Sequence, residues 1–451
     1  MSYDIKIKNG LTINLKGAAQ NIIKKAATPK TISINPSNFH LIIPKMVVKI
    51  GQKISQGDVV FFSKKDERIK FCSPVNGVVK EIIRGAKRKI IEIIIESVGD
   101  NERSSKKAID YKNLSSEQVK NLLLDSGCWP FIKQRPYDII ANPSDSPKSI
   151  FISTFNSAPI SADFQIILDD QKEEFKHGVK ILSKLFSGDL NIGLEKNNKS
   201  FLNEIENVKI NTFNGPHPAG NVGVQIHHID PINSGEKVWT LGAEDVANIG
   251  RYFMTGSYNP VRTLAVSGPP VKNPKYYKTI AGSELCEIIK DAGINQNDNL
   301  RFINGDVLTG YKVESDNYLG FYNNTLSVLR EGNHYRMFGW VPFVNNKVPS
   351  IYKTSFSWLF PNKKYDLDTN LNGEERALVV TGEMEKVFPM DILPMQLLKE
   401  CMAGNIEKME SLGIYEVAPE DFSLIDYSSS SKIEAQYIIR KGLDLMISEV
   451  G

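Results

Sequence analysis

The sequence predicts a multidomain α+β protein, and three observations carry that expectation. Its 451 residues are enough for two to four domains with several buried cores. Turn-rich, β-like runs crowd residues 40–98, whereas strand-like and helix-like runs alternate from Tyr137 onward. Amphipathic helical patterns dominate the C-terminal end. The expected divisions are 1–100 for an N-terminal segment with a small all-β unit, 108–258 for an α/β unit, 259–330 for strands wrapped around one helix, and 331–451 for a mainly helical end.

In chain order, residues 1–8 alternate apolar and charged side chains, as a strand does. Gly51-Gln-Lys-Ile-Ser-Gln-Gly57-Asp58 turns the chain into the apolar run Val59-Val-Phe-Phe62. Asn76-Gly77 lies between Ser73-Pro-Val75 and Val78-Val79, which predicts a hairpin. This unit resembles the barrel-sandwich fold of biotinyl and lipoyl carrier domains. Those carriers present a lysine between methionines at a hairpin tip, but here the matching stretch reads Ser63-Lys-Lys-Asp-Glu-Arg68. Lys64 and Lys65 are therefore expected to be solvated charges rather than acylated arms.

A polar linker is expected over 99–107. Ser115-Ser-Glu-Gln-Val-Lys-Asn-Leu-Leu-Leu124 carries a helix-start signal and an apolar stripe. Ser149-Ile-Phe-Ile-Ser153 reads as a buried strand. Residues 169–186 put Phe175, Val179, Leu182 and Phe186 on one helical face. Leu190-Asn-Ile-Gly193 and Val208-Lys-Ile-Asn211 are further strands, so the alternation predicts a parallel, Rossmann-like α/β sheet. Dinucleotide binding needs a Gly-rich turn that lets pyrophosphate reach a helix N-terminus, and neither G-x-G-x-x-G nor a Walker A sequence occurs in this region. No NADH site is expected in it. Thr263-Leu-Ala-Val-Ser267, a helix beginning at Ser283, Leu300-Arg-Phe-Ile303 and Leu326-Ser-Val-Leu329 together fit a β-grasp fold. Residues 391–402 and 432–447 carry amphipathic helical patterns, separated by the acidic turn Pro419-Glu-Asp421.

Composition narrows the functional classes. The net charge of +3 is too balanced for a nucleic-acid binder, and no polybasic block suggests a membrane-surface anchor. No run of eighteen apolar residues predicts a membrane span, and the N-terminus lacks the apolar region of a secretory signal. Cys72, Cys128, Cys286 and Cys401 are far apart, so their spacing supports neither zinc nor an iron–sulfur cluster.

The densest motif is residues 215–228, Gly-Pro-His-Pro-Ala-Gly-Asn-Val-Gly-Val-Gln-Ile-His-His. Its prolines fix φ on both sides of His217, and the following residues read as a strand. That strand would place Val222, Val224, Ile226 and His228 on one face, opposite Gly223, Gln225 and His227. On such a strand His227 and His228 could not share a metal ion, so hydrogen-bonded interior or interface histidines are expected rather than a metal site. Together with Asn9-Gly-Leu11, Ser73-Pro-Val-Asn-Gly-Val78, Arg84-Gly-Ala-Lys-Arg88, Trp129-Pro-Phe-Ile-Lys-Gln-Arg-Pro136, Gly268-Pro-Pro270, Tyr318-Leu-Gly320 and Lys441-Gly-Leu-Asp-Leu-Met446, the motif resembles the A subunit of the bacterial Na+-translocating NADH:quinone oxidoreductase. The likeness spans nearly the whole chain.

The resemblance implies a soluble-ligand-binding (SLBB-like) β-grasp module. It also implies a six-subunit complex that oxidises NADH, reduces ubiquinone and exports Na+, with flavins and an iron–sulfur centre in partner subunits. This chain would hold no cofactor tightly and have no catalytic residue of its own. It would lie on the cytoplasmic face of the inner membrane, reach the membrane through its partner subunits, and take part in the quinone step. Flat apolar walls with one or two donors suit a quinone ring, and Trp129, Phe131, Lys133, Arg135 and His217 are the candidates. The bland alternative makes Trp129 and Phe131 core anchors and Arg135 the partner of a carboxylate. The competing function is a scaffold subunit that never touches quinone.

Overall fold

In the computed structural model, residues 2–98, 107–295, 298–334, 347–351 and 356–451 are described; the linker expected over 99–107 lies outside them except for its last residue. The fold is the expected mixture. Two small sheets form the all-β unit. One runs Thr31–Ile34, Ile90–Ser97, Gly77–Arg84, Lys53–Ile54, and the other Pro44–Met46, Val59–Ser63, Lys70–Cys72. Their inner faces bury Val60, Phe61, Phe71, Val79, Ile93 and Ile95, with the Phe61 and Phe71 rings stacked at 4.4 Å. The hairpin expected at Asn76-Gly77 is absent. Lys70–Cys72 pairs with Val59–Ser63, whereas Gly77–Arg84 pairs with Ile90–Ser97, so Asn76-Gly77 is the corner where the chain changes sheets. Asn76 holds that corner by accepting the Gln56 N–H at 2.7 Å. Lys64 and Lys65 are exposed, and their turn is pinned by Arg68, which bonds Asp66 and Ser144.

The α/β unit has a parallel core, in the order Lys209–Asn214, Asp189–Glu195, Ser149–Ser153, Val238–Gly242, extended by the antiparallel strands Lys133–Arg135 and Ile139–Ile140. Chain order 3-2-1-4 across these four strands is the Rossmann arrangement. Helix Ser116–Ser126 starts at the expected capping box, Ser115 with Gln118, and helix Lys172–Leu185 buries Phe175, Val179 and Leu182 as its stripe requires. That helix crosses helix Ala243–Thr255 at backbone contact: a Cβ on Gly250 would lie 1.8 Å from the Glu174 carbonyl oxygen, and one on Gly178 2.0 Å from that of Val246.

The third unit is a six-stranded sheet, Tyr311–Val313, Leu300–Asn304, Thr325–Arg330, Val261–Ser267, Lys275–Ile280, Gln20–Lys25, with helix Cys286–Asp291 on it. Its last strand comes from the N-terminal segment. So does Asp4–Lys6, which joins the α/β sheet beside Lys209–Asn214. The first 25 residues therefore lace two later units together before the all-β unit begins. Helices Pro394–Ala403, Ile406–Ser411, Ser423–Ser428 and Ala435–Glu449 build the C-terminal unit, whose core includes Leu397, Leu398, Phe422, Ile425, Ile439 and Leu443.

Gly250→Ala tests the helix crossing. Alanine normally stabilises a helix interior relative to glycine, but here overpacking is expected to cost about 1–3 kcal/mol. Thermal denaturation should show a lowered Tm; an unchanged or raised Tm would contradict the contact.

Candidate functional site

The chain after Gly215 does not continue as a strand: Val222–Ile229 is a helix. Alternating Val222, Val224 and Ile226 imitates a strand, but Lys209–Asn214 and Val238–Gly242, successive parallel strands with two others between them in the sheet, cannot be joined by a tight turn and require a crossover. The correction changes the histidines. His227 and His228 are successive on the last helical turn, with ring centroids 5.2 Å apart. His227 Nε2 accepts the Asp391 N–H at 2.9 Å, so its proton sits on Nδ1, which faces Glu416 at 2.7 Å. His228 Nδ1 donates to the Val224 carbonyl at 2.9 Å. No group of three His, Cys, Asp or Glu suited to a metal occurs among the described residues.

His217 is only 3% exposed. Its carbonyl accepts the Leu11 N–H at 2.9 Å, and its Nδ1 lies 3.0 Å from Ser157 Oγ, which also accepts the Gly220 N–H at 2.8 Å. Nε2 is buried and has no hydrogen-bond partner. Burial pushes the imidazole down from 6.5 to about 4, with Asp306 opposing. Gly10 permits the close cover over this residue, since a Cβ there would meet the His217 carbonyl oxygen at 2.2 Å.

This loop closes the carboxyl ends of the strands, where a doubly wound sheet ordinarily receives its ligand. Ser153, at the end of its strand, donates to the Gly220 carbonyl at 2.8 Å and accepts from Gln225 at 3.1 Å. At the next strand end, Gly242 leads directly into helix Ala243–Thr255, whose first turn carries Glu244 and Asp245. Both acids are buried and face the β-grasp sheet. Glu244 accepts Gln171 Nε2 at 2.6 Å, Thr263 N at 3.0 Å, Thr263 Oγ1 at 2.8 Å and Asn324 Nδ2 at 2.5 Å. Asp245 accepts Arg262 Nη2 at 2.5 Å. Burial pushes the Asp245 carboxyl up, and Arg262 opposes that. This cluster went unread in the sequence. Its signal was an acidic pair at a helix start directly after a strand, with an arginine heading the otherwise apolar run Thr263-Leu-Ala-Val266.

The aromatic–basic stretch divides among several duties. Trp129 is fully buried, donates to the Ala141 carbonyl at 2.7 Å and packs edge-on against Trp239. Phe131 is buried and stacks on Phe321 at 5.2 Å; the Arg262 guanidinium lies 5.7 Å from both rings. Lys133, a third exposed, sits 4.7 Å over the Tyr322 ring and 3.3 Å from Asp138. Arg135 is buried against Asp421 at 2.8 Å and Glu420 at 2.5 Å, binding the acidic turn of the C-terminal unit. Burial disfavours its charge, but Asp421 and Glu420 outweigh that and raise its pKa. Phe131 and Lys133 thus share the Phe321–Tyr322 pair, Trp129 backs them, and Arg135 turns away; His217 stands with Leu11 and Ser157 instead.

Residues 5–98 match the family model for the NqrA N-terminal barrel-sandwich hybrid domain, 114–258 that for the NqrA second alpha/beta domain, and 263–315 that for the NQRA C-terminal domain. Curated proteins that bear the name of the A subunit of Na(+)-translocating NADH-quinone reductase are similar along nearly the full length. That of Photorhabdus laumondii is 34% identical over 442 residues, covering 97% of this chain and 98% of its own. The Hahella chejuensis protein is 35% identical with the same coverage, and that of Vibrio campbellii 32% identical, covering 99% and 100%. A solved NAD+-reducing [NiFe]-hydrogenase aligns over 76% of this chain and 63% of its own at 11% identity and a TM-score of 0.41, too loose a likeness to carry an argument.

Two outcomes follow from the geometry. Arg262→Ala strands the buried Glu244 and Asp245 carboxylates and is expected to cost about 3–5 kcal/mol, read by urea denaturation. For His217, the unfolded chain takes up a proton below pH 6.5 while the folded chain resists it until about pH 4. Its contribution is therefore intact above pH 6.5 and lost as pH falls from 6.5 to 4, by about 3 kcal/mol. His217→Gln should flatten the pH dependence of stability in that window; an unchanged profile would contradict the buried neutral imidazole.

Proposed function

The chain belongs to the A-subunit family of the Na+-translocating NADH-quinone reductases, and from that membership we propose that it is the docking subunit on the cytoplasmic side of the complex. The complex is an oxidoreductase that couples quinone reduction to sodium transport, and no helix among the described residues is long and apolar enough to cross a membrane. The flavins and iron–sulfur centre belong to other subunits, and this chain seats on the membrane part.

One observation carries this reading. At the carboxyl end of the sheet, beside the strand Ser149–Ser153 whose following turn would grip pyrophosphate in a Rossmann domain, the helix start of Ala243–Thr255 bears two buried acids already committed to Thr263 and Arg262. A phosphate arriving there would meet like charge in a desolvated site, so the helix start cannot serve as an anion seat. This end of the sheet, where a doubly wound fold receives its ligand, fastens the neighbouring unit instead.

A second reading, participation in the quinone step, has a single specific support: the orphan Nε2 of His217. It is a buried polar atom that a quinone carbonyl or hydroxyl could satisfy once the Gly10–Leu11 cover moves. Trp129 and Phe131 are buried in packing and Arg135 is committed to Asp421 and Glu420, which favours docking as the primary role.

The docking reading predicts a colourless purified chain, and a complex that loses quinone reduction when this chain is stripped and regains it when the chain is added back. Stoichiometric flavin or iron on the isolated chain, or full activity without it, would overturn it. For the quinone step, His217→Ala in the holoenzyme should raise the KM for quinone with little change in the rate of NADH oxidation by an artificial acceptor. Unaltered quinone kinetics would remove His217 from the reaction.

A further inference from the structure

The described residues 356–364 carry an exposed apolar feature that takes no part in the joints or the candidate site described above. The short helical turn Phe356–Leu359 and the residue after it present Trp358, Leu359 and Phe360 to solvent, 53%, 53% and 62% exposed. Large apolar side chains are not usually left this open side by side. The stretch that follows them is tied down. Asn14 Nδ2 donates to the Pro361 carbonyl at 2.6 Å, the Tyr365 N–H donates to the Asn14 carbonyl at 2.8 Å, and the Lys16 N–H donates to the Tyr365 carbonyl at 2.9 Å. Tyr365 itself is buried. The segment is tied at its base to the N-terminal strap while its aromatic tips point outward.

Charge is the second, independent observation. Lys16, Lys363 and Lys364 are exposed around this base, with Lys363 Nζ 5.1 Å from the Tyr365 ring. The nearest following acid, Asp366, is engaged by Arg330 at 3.6 Å. Composition continues the trend. From residue 333 to 365 the sequence has nine aromatic residues, four lysines and one arginine, and no aspartate or glutamate. Elsewhere acids and bases nearly balance, since the whole chain has 55 basic and 52 acidic side chains. Tryptophan and phenylalanine beside lysines, without acids, match the chemistry of a bilayer interface. The rings settle at the level of the headgroups while the ammonium groups reach lipid phosphates.

We propose that Trp358, Leu359 and Phe360, ringed by Lys16, Lys363 and Lys364, insert into the headgroup region of an anionic phospholipid bilayer and hold this chain directly on the membrane. The contact is additional to whatever protein interface seats the chain in the complex. A single short aromatic turn binds weakly alone; its use is to orient a protein that its partners have already tethered.

The test uses the full chain by itself in a vesicle flotation assay. Vesicles of phosphatidylcholine with about one third phosphatidylglycerol are compared with phosphatidylcholine alone, at low and at high salt. The expected result is flotation with the anionic vesicles, reduced by salt and by neutral lipid. Binding should weaken at least about tenfold in the variant W358S/L359S/F360S and fall severalfold in K363E/K364E. Both variants alter exposed side chains, so circular dichroism and Tm should match the unmodified chain. A chain that stays out of the anionic vesicle layer, or a serine variant that floats as well as the unmodified chain, overturns the proposal. So does a serine variant that fails to join the complex while its lipid binding is unaffected, because the aromatic turn would then be a protein-docking surface.

Discussion

A single guanidinium holds the centre of this molecule. Arg262 is the second residue of the strand Val261–Ser267 of the β-grasp sheet, is 1% exposed, lies 5.7 Å from the Phe131 and Phe321 rings, and donates a hydrogen bond from Nη2 to Asp245. Removing an arginine and two carboxylates from water is costly, and the attraction between them offsets that cost only where every remaining donor and acceptor is met. Here Glu244 has four such bonds and Arg262 Nε donates to the Phe321 carbonyl at 2.7 Å. The network spans the α/β unit and the β-grasp unit, so neither can leave the other without exposing an uncompensated charge.

The other joints use the same device at smaller scale. Arg135 enters the C-terminal unit between Glu420 and Asp421, and His227 meets Glu416 in that unit while receiving the Asp391 N–H. His40 of the all-β unit contacts Asp444 of the last helix at 2.7 Å. The N-terminal segment adds covalent continuity, with Asp4–Lys6 in one sheet and Gln20–Lys25 in another. Of the residues that a reading for ligand chemistry singles out, Phe131 and Arg135 are consumed by these joints, and Trp129 is buried within the α/β unit. The purpose served is a fixed arrangement of four units.

Local signals were legible where a local cause decides the outcome. The Ser115–Gln118 capping box, the apolar run of Ser149–Ser153 and the stripe of Lys172–Leu185 each form the element that their side chains specify. Elements decided by distant partners were not. Val222–Ile229 alternates like a strand yet is helical, because two parallel strands must be bridged there. Asn76-Gly77 has the chemistry of a hairpin turn, but its flanks pair with strands of different sheets. Nothing in Asp4–Lys6 announces a partner about two hundred residues away. At the candidate site, His217 was readable because prolines and glycines crowd it, whereas Glu244 and Asp245 look like ordinary acids of a helix's first turn. Only the β-grasp strand laid against them turns them into a buried seam.

The claim that the nucleotide end of the α/β sheet has become an internal joint is tested most directly by hydrogen–deuterium exchange on the full chain. The account predicts that peptides covering 243–255 and 261–267 exchange only as fast as the whole molecule unfolds, and that NADH leaves them unchanged. Faster, independent opening of either peptide, or protection appearing at 243–255 when NADH is added, would contradict it.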